Sequence, residues 1–296
     1  MNVYKNCNLC PRNCGINRYT NLGFCKASNK LKIANADLFF YEEPVISGDS
    51  GSGAIFFSNC NMGCIFCQNY EISNENKGRY ISINKFKEIC LKLEKKGAKN
   101  INLVTPSIYV PSIIKGIKKA KKEGLSIPII YNTSSYENVS TIKLLNGLID
   151  VYLPDLKFYD DSLAIKYSNA KDYFKYASNA INEMFKQVGK CIFSNDGYIK
   201  KGIIVRHLLL PGHLEDSKKI IKYLYETYKD DIYISIMNQY TPLRNLPYSN
   251  LNKKVTDDEY DELINYAYDL GIRNCFVQIG ETQSDSFIPD FNSFSF

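Results

Sequence analysis

The sequence predicts an α/β fold with a parallel central sheet. After residue 50, short β-rich runs alternate with longer stretches whose apolar residues recur at helical spacing. About seven such runs are separated by helical patterns of about 10 to 18 residues, a length that suits right-handed crossovers between parallel strands. An open doubly wound sheet and a full or partial β/α barrel both satisfy this alternation. In both folds the catalytic and binding residues lie at the carboxyl ends of the strands.

Each strand is predicted from a short run rich in β-branched and aromatic residues. In chain order the runs are "GAIFFS" (53–58), "NINLVT" (100–105), "IPIIYNT" (127–133), "DVYLPDLK" (150–157), "GIIVRHLLL" (202–210), "IYISIMNQ" (232–239) and "NCFVQIG" (274–280). Helical patterns lie between them at 83–97, 111–124, 139–148, 172–189, 215–229 and 256–271. Five of these patterns have a glycine at or next to their end, where a C-cap is expected, namely Gly97, Gly124, Gly147, Gly189 and Gly271.

Residues 1–50 interrupt the alternation and carry their own group of cysteines. We therefore predict two units, a cysteine-rich metal-binding N-terminal extension at 1–50 and an α/β domain at 51–296. Cys90, Cys191 and Cys275 stand apart among apolar neighbours. We expect each of them to be a small buried hydrophobe rather than a ligand.

The composition is that of a protein with a full hydrophobic core, since 45% of the residues are hydrophobic and 23% are charged. The net charge of +6 comes mostly from lysines on predicted helix faces, so a solvated surface explains it better than a nucleic-acid site. No apolar run reaches the roughly 18 residues of a membrane helix, and no signal sequence is recognisable near Met1. We expect a soluble cytoplasmic protein without a membrane partner.

The stretch "SNCNMGCIFCQNYEIS" holds Cys60, Cys64 and Cys67 at the spacing C-x3-C-x2-C. It follows the first predicted strand and therefore lies at the carboxyl ends of the strands, where active sites of such folds are found. A structural zinc site is closed by four ligands, and catalytic zinc usually takes histidines and carboxylates, so three thiolates suit neither kind of site. A [4Fe-4S] cluster normally takes four thiolates. A three-cysteine version leaves one iron open to a substrate or cofactor.

A second group, Cys7, Cys10, Cys14 and Cys25, has the spacing C-x2-C-x3-C-x10-C. Four thiolates are enough to close one metal site, and both structural zinc and an auxiliary Fe-S cluster are compatible with them. The spacing is not that of a ferredoxin, which favours zinc slightly. Four free or packed thiols are the remaining alternative. A metal would help to fold an extension too short to bury a core alone.

The run from Cys60 to Cys67, with an aromatic residue just before the last cysteine, resembles the signature loop of radical S-adenosylmethionine (SAM) enzymes. Further stretches are similar to the branch described as pyruvate formate-lyase activating enzyme-like, namely "EEPVISGDSGSGAIFFSNCNMGCIFCQNYEIS", "YLPDLKFYD", "IVRHLLLPG" and "IMNQYTP". The resemblance implies a partial (β/α)6 TIM-like barrel. It also implies that the open iron of the cluster binds SAM, which is cleaved reductively to a 5'-deoxyadenosyl radical that abstracts hydrogen from a substrate.

The same resemblance assigns roles to residues at the strand ends. Asn132 and Thr133 correspond to a turn near SAM, and Asp155 and Lys157 to an Asp-x-Lys motif close to SAM and the substrate. Arg206 corresponds to a basic residue of the cavity wall. We therefore expect Lys157 and Arg206 to be catalytic and the other three to bind the cofactor. A turn residue, a surface ion pair and a solvent-facing arginine are the simpler interpretations.

The chain departs from the activating enzymes after the second strand. They carry Gly-Gly-Glu, which holds the SAM amino group, where this chain has residues 104–107, Val-Thr-Pro-Ser. We expect Thr105 or Ser107 to replace that contact. The two histidines, His207 and His213, are compatible with a proton relay or with a satisfied core histidine.

The predicted function is that of a radical SAM oxidoreductase with a [4Fe-4S] cluster, SAM and a second N-terminal metal site. A glycyl-radical protein is one candidate substrate, and another peptide or a small molecule is the alternative. An electron donor such as flavodoxin or ferredoxin is expected as a partner. A non-catalytic zinc or nucleic-acid-binding protein is the hypothesis from a different class, but the chain has no recognised RNA motif.

Overall fold

The computed structural model describes residues 3–278, 280, 282–284, 288, 289, 291 and 296. Most of the C-terminal tail and Ile279, which ends the last predicted strand, lie outside the described residues. No described helix combines the length and apolar character needed to cross a membrane.

A single twisted sheet organises the described part of the chain. Its strands are β1 (Leu31–Phe39), β2 (Ser52–Phe57), β3 (Arg79–Ile81), β4 (Ile101–Val104), β5 (Ile129–Thr133), β6 (Val151–Pro154), β7 (Ile192–Phe193), β8 (Ile199–Leu208), β9 (Tyr233–Met237) and β10 (Cys275–Val277). The spatial order is β10-β9-β8-β6-β5-β4-β2-β1-β3, and β7 pairs with β8 off this path. The run from β2 through β10 is parallel, whereas β1 is antiparallel to both of its neighbours.

Helices provide the crossovers between the parallel strands. They are α1 (Tyr70–Ser73), α2 (Ile83–Lys95), α3 (Val110–Lys122), α4 (Val139–Lys143), α5 (Asp161–Ser168), α6 (Tyr173–Val188), α7 (Leu214–Tyr228) and α8 (Asp257–Asp269). Short 3-10 turns lie at Val3–Lys5, Ser107–Tyr109, Lys229–Asp231 and Ser249–Asn252. β10 and β3 form the two ends of the described sheet. The sheet is therefore open, as in a partial TIM barrel, and the predicted α/β fold is confirmed.

Six of the helices form where the apolar periodicity predicts them, because one stripe of each is buried, whereas α1 and α5 lie outside the predicted patterns. In α2, Ser82 accepts a capping hydrogen bond from Lys85 N, and Phe86 and Leu93 are buried. Gly116 allows α3 to approach α2, since a Cβ atom there would stand 2.2 Å from the Phe86 ring. The helix predicted over 139–148 is shorter than expected and ends at Lys143.

The N-terminal extension contributes directly to the sheet. β1 lies within the predicted unit 1–50 but pairs with β2 and β3. Residues 40–51, which we call the floor segment, then cross the sheet face that is turned away from the helices. Ile46 of this segment is fully buried with Ile130 and Leu153. The floor segment therefore fills the inside of the partial barrel beneath the strand ends.

Candidate functional site

A cavity of about 320 Å³ opens at the carboxyl ends of the parallel strands. This is within the usual size range of sites for small molecules and cofactors. Its wall contains nine of the residues predicted from the sequence, namely Cys60, Cys64, Cys67, Thr105, Asn132, Thr133, Asp155, Lys157 and Arg206. The fold thus gathers residues that are widely separated in the chain around one cavity.

The three thiols of the loop after β2 enter this cavity together. Each sulfur accepts a hydrogen bond, from the Met62 N–H to Cys60 (3.4 Å), the Ser168 hydroxyl to Cys64 (3.0 Å) and the Ser73 hydroxyl to Cys67 (3.4 Å). Such donors stabilise negative charge on sulfur and tune an Fe-S cluster when one is bound. No sequence pattern indicates these three donors, because two of them come from other elements, Ser73 from α1 and Ser168 from α5.

Burial raises the pKa of the Cys60 and Cys67 thiols, and the neighbouring Cys64 sulfur raises both further. Thiols that resist ionisation when free need a metal to become thiolates. Among the described residues, no three His, Cys, Asp or Glu side chains converge on a single ion position. The three thiols instead border a cavity, which suits a cluster that binds each thiolate through a different iron. The donor set therefore fits a [4Fe-4S] cluster.

Two arginines hold the backbone of the cysteine loop from opposite parts of the chain. Arg12 donates from Nε to the Asn61 carbonyl at 2.9 Å. Arg244 donates from Nη2 to the Ile65 carbonyl, and its Cζ lies 3.2 Å from the centre of the Tyr70 ring. Both contacts bring positive charge close to the loop. Neither residue has a sequence signal, because only the fold brings them near the cysteines.

Asp155 and Lys157 form a close ion pair in the cavity wall, with 2.5 Å between Oδ2 and Nζ. Burial alone would lower the pKa of Lys157, but the Asp155 charge, with help from the Cys64 sulfur, outweighs burial and raises the pKa. The lysine therefore stays protonated next to the thiols. The Tyr173 hydroxyl fixes this turn by donating to the Asp155 carbonyl (3.1 Å) and accepting from Lys157 N (3.0 Å).

Arg206 lies deeper in the cavity wall, where two carboxylates of the floor segment bind it. Its Nε donates to Glu43 Oε1 at 2.8 Å, and its Nη2 donates to Glu43 Oε2 and to Glu42. Burial opposes ionisation of Glu43, but the Arg206 charge and hydrogen bonds outweigh it and lower the pKa of the carboxyl. The catalytic role of Arg206 stays a prediction. In this arrangement its charge is already balanced by protein carboxylates, which the sequence did not indicate.

Thr105 stands at the end of β4 with φ +60°, a left-handed conformation that β-branched residues rarely adopt. Its N–H donates to the Asn132 carbonyl at 2.9 Å. Backbone strain of this kind persists where a site requires it. Ser107, the alternative to Thr105, binds the buried Glu137 carboxylate at 2.5 Å and does not line the cavity.

A family model described as the radical SAM superfamily matches residues 54–224, which is more than half of the chain. The chain belongs to the radical SAM superfamily. Membership implies an enzyme that uses SAM and a [4Fe-4S] cluster, and the cavity holds the three thiols that such a cluster requires. An enzyme is therefore favoured over the non-catalytic binding protein.

Relatives with broad coverage include an uncharacterized protein of Methanocaldococcus jannaschii, which is 30% identical over 276 residues, or 90% of this chain and 75% of the relative. Streptococcus suis SuiB bound to precursor peptide SuiA has a TM-score of 0.50 at 13% identity over 75% of this chain. The FeFe-hydrogenase maturase HydG of Carboxydothermus hydrogenoformans has a TM-score of 0.50 at 14% identity over 80% of this chain. The chain spans 47% of SuiB and 60% of HydG. The two structures show a shared fold.

The histidines of this radical SAM protein lie outside the cavity wall. His207 is buried and donates from Nδ1 to the Leu156 carbonyl at 2.8 Å. Burial lowers its pKa to about 4, so the ring is neutral at physiological pH. His213 Nε2 lies 3.0 Å from the Tyr167 hydroxyl and 3.1 Å from Asn250 Nδ2. The His213 ring has structural partners, whereas the Nε2 atom of His207 is buried without a hydrogen-bond partner among the described residues, so His207 is only partly satisfied.

Proposed function

We propose that this protein cleaves SAM reductively and uses the resulting radical to abstract hydrogen from a peptide or protein substrate. The observation that carries the proposal is the convergence of three thiols, the Asp155–Lys157 pair and the strand ends around one cavity. When bound, the cluster and SAM would supply the electron transfer and the 5'-deoxyadenosyl radical. The chain itself supplies binding, orientation and exclusion of water.

The roles of the wall residues follow from their chemistry. Cys60, Cys64 and Cys67 would hold three irons and leave the fourth to the cofactor. The polar groups at the strand ends, from Thr105, Asn132 and Thr133, would orient SAM by hydrogen bonds, as would Asp155 with its carboxylate. Lys157 would keep the positive potential that an anionic cluster requires, because its ammonium group is buried beside the thiols.

Two features support an extended peptide as the substrate. In the described part of the chain β10 pairs only with β9, and a sheet edge of this kind is where an extended peptide adds as a further strand. Phe276 and Val277 of β10 line the cavity, and so does Tyr41, which is 56% exposed. A glycyl-radical loop is the first peptide class to test, and a small molecule is the alternative.

We also propose that Cys7, Cys10, Cys14 and Cys25 hold a second metal centre, either zinc or an auxiliary Fe-S cluster. All four border one small cavity, but in the described structure no three of them converge on a single ion position, so binding of a zinc ion would require the thiols to move together. A flavodoxin or ferredoxin is the proposed electron donor. All ten cysteines are free thiols, which fits the reducing environment of a cytoplasm.

The test begins with anaerobic protein reconstituted with iron and sulfide. Iron, sulfide and zinc are counted in the wild type, in a Cys60→Ala/Cys64→Ala/Cys67→Ala variant, and in a Cys90→Ala control that removes a buried thiol far from the cavity wall. Dithionite and SAM are then added and 5'-deoxyadenosine is measured. We expect production in the wild type and the control only. Zinc without iron, together with intact SAM, would refute the proposal.

Candidate substrates are tested with the same preparation. Peptides deuterated at a glycine Cα, including glycyl-radical loop sequences, are added, and 5'-deoxyadenosine is analysed by mass spectrometry. Deuterium in the product identifies the abstracted hydrogen. Transfer only from small molecules would replace the peptide class with the alternative.

A further inference from the structure

The second cysteine group packs against the back of the loop that carries the first. Its cavity is bordered by Cys7, Cys10, Cys14 and Cys25, together with the side chains of Arg12 and Arg18. Two backbone hydrogen bonds shape the turn around it, from Cys7 N to the Ile16 carbonyl and from Gly15 N to the Cys7 carbonyl, both at 3.0 Å. Four thiols and two guanidinium groups therefore share one small space.

Arg18 is a buried cation without a carboxylate partner among the described residues. Its side chain is 1% exposed, and its nitrogens donate to the carbonyls of Ala27, Ser28 and Ile108. Its Nη1 also lies 4.0 Å from Cys7 Sγ. An arginine stays charged in proteins, and a buried charge is costly unless an opposite charge lies nearby. Thiolates at this cavity would provide that charge, whereas four neutral thiols would not.

Arg12 connects this cavity to the cysteine loop of the main site. It donates to the Asn61 carbonyl, one residue from Cys60, and its Cζ lies 3.7 Å from the centre of the Phe24 ring. Its Nη2 is buried and has no hydrogen-bond partner among the described residues. The Phe24 ring itself rests on the loop, because a Cβ atom added at Gly63 would stand 3.2 Å from it. The segments that carry the two cysteine groups are thus in contact through Arg12 and Phe24.

We propose that an anionic metal-thiolate centre at Cys7, Cys10, Cys14 and Cys25 holds Arg12 and Arg18 in place, and that Arg12 then positions the Cys60–Cys67 loop for its cluster. This inference rests on the second metal centre proposed above. Four thiolates outweigh the charge of Zn²⁺ or of an oxidised [4Fe-4S] core, so either metal gives the negative charge that the two arginines require. Arg12 is a positioning residue, since it acts on the cluster through the loop.

The first experiment identifies the metal. The Cys60→Ala/Cys64→Ala/Cys67→Ala variant keeps the second group as its one cluster of cysteines, beside the isolated Cys90, Cys191 and Cys275, so zinc, iron and acid-labile sulfide are counted in it. About one zinc per chain without sulfide indicates a zinc site, and iron with matching sulfide indicates an Fe-S cluster. Both results support an anionic centre. No bound metal after reconstitution with each would refute it.

The second experiment tests the coupling in the full-length protein with both sites loaded. Cys14→Ser weakens the centre at its exposed thiol, and Arg12→Ala removes the connection to the loop. Arg244→Ala is the matched control, because it removes a similar arginine-carbonyl contact to the same loop from the opposite side. The readouts are the rate of iron release from the main cluster to a chelator and the midpoint potential of that cluster by EPR titration.

We expect Arg12→Ala and Cys14→Ser each to accelerate iron release by about tenfold, the effect of one charge-assisted hydrogen bond. The double variant should be no faster than either single variant, whereas Cys14→Ser and Arg244→Ala should combine multiplicatively. Circular dichroism checks that each variant is folded. Arg12→Lys keeps the charge, so iron release from this variant should be slower than from Arg12→Ala.

The possible outcomes distinguish three claims: the second metal centre, its coupling to the cysteine loop, and the proposed reaction. Multiplicative effects of Arg12→Ala and Cys14→Ser, in a protein that binds metal at both sites, would refute the coupling while the centre stands. A second centre present in a wild type that does not cleave SAM would refute the proposed reaction and leave the centre intact.

Discussion

Replacing Arg206 with methionine tests how the floor segment is held. The guanidinium side chain is 12% exposed, and the carboxylates of Glu42 and Glu43 that bind it are each 6% exposed. Removing the cation leaves two buried carboxylates side by side, and breaking a buried pair in this way costs about 3 to 5 kcal/mol of unfolding free energy. Lys96→Met is the control, because the Lys96–Asp37 pair has side chains 37% and 40% exposed. Breaking that pair should cost less than about 1 kcal/mol.

The pH dependence of the same variant gives a second check. In the wild type the pKa of Glu43 is lowered below 4.5, so the stabilisation is present above about pH 4.5 and is lost as the pH falls through the lowered pKa. In Arg206→Met, burial and mutual repulsion should raise the carboxyl pKa values instead. The folded variant then binds more protons than the unfolded chain, and its stability relative to the wild type should recover as the pH falls from 7 to 5.

Urea unfolding, followed by circular dichroism at several pH values, measures both effects. The protein is kept anaerobic and the variants carry equal metal. A loss below about 1 kcal/mol at pH 7, or a loss of several kcal/mol that does not change with pH, would show that the carboxylates are not held by Arg206 as the structure has them.

Further predictions concern the cavity and its surroundings. Cys64→Ala should remove about four irons per chain and abolish 5'-deoxyadenosine formation, and retention of both would contradict the cluster assignment. Lys157→Met should lower kcat/KM for SAM cleavage by about tenfold or more, and Lys157→Arg less, because arginine keeps Asp155 paired; equal activity of the two variants would argue against a role for the charge. Thr105→Gly should raise the unfolding free energy by about 1 kcal/mol by relieving strain while raising the KM for SAM, and an unchanged KM would remove Thr105 from the cofactor site. The pKa of His207 falls from 6.5 to about 4 on folding, so the wild type should lose about 3 kcal/mol of stability between pH 6.5 and 4. His207→Gln should flatten that part of the stability profile, measured by urea unfolding.

The sequence predicts the parallel part of the sheet well, because every buried strand there is a short apolar run between amphipathic helices. The predicted run 100–105 contains β4, and 127–133 contains β5, with limits that differ by a residue or two. The cysteine loop is equally accessible to prediction, since its three cysteines lie within eight residues of one another. Local patterns of this kind can be recognised in the sequence because their residues are already close together before the chain folds.

Contacts between distant segments could not be predicted in the same way. Residues 1–50 are predicted as a separate extension and β1 within them is not predicted, because an antiparallel strand does not follow the β/α alternation. Nothing in the sequence indicates that Glu42 and Glu43 are buried, since charged side chains are rarely buried without a partner and their partner Arg206 lies far along the chain. Arg244 was missed for the same reason. A single sequence shows composition and hydrophobic periodicity, but it does not show which charged residues far apart in sequence form ion pairs.

The floor segment also has a consequence for how the chain acquires its structure. Glu43 and Arg206 are 163 residues apart in sequence, so the interior of the barrel cannot be sealed until β8 has joined the sheet. During synthesis the N-terminal part must wait for most of the chain to emerge. Contacts of such high sequence separation slow folding, and the last step should be the docking of the floor segment. Until that step is complete, the strand ends would have no base on which a cluster could be assembled.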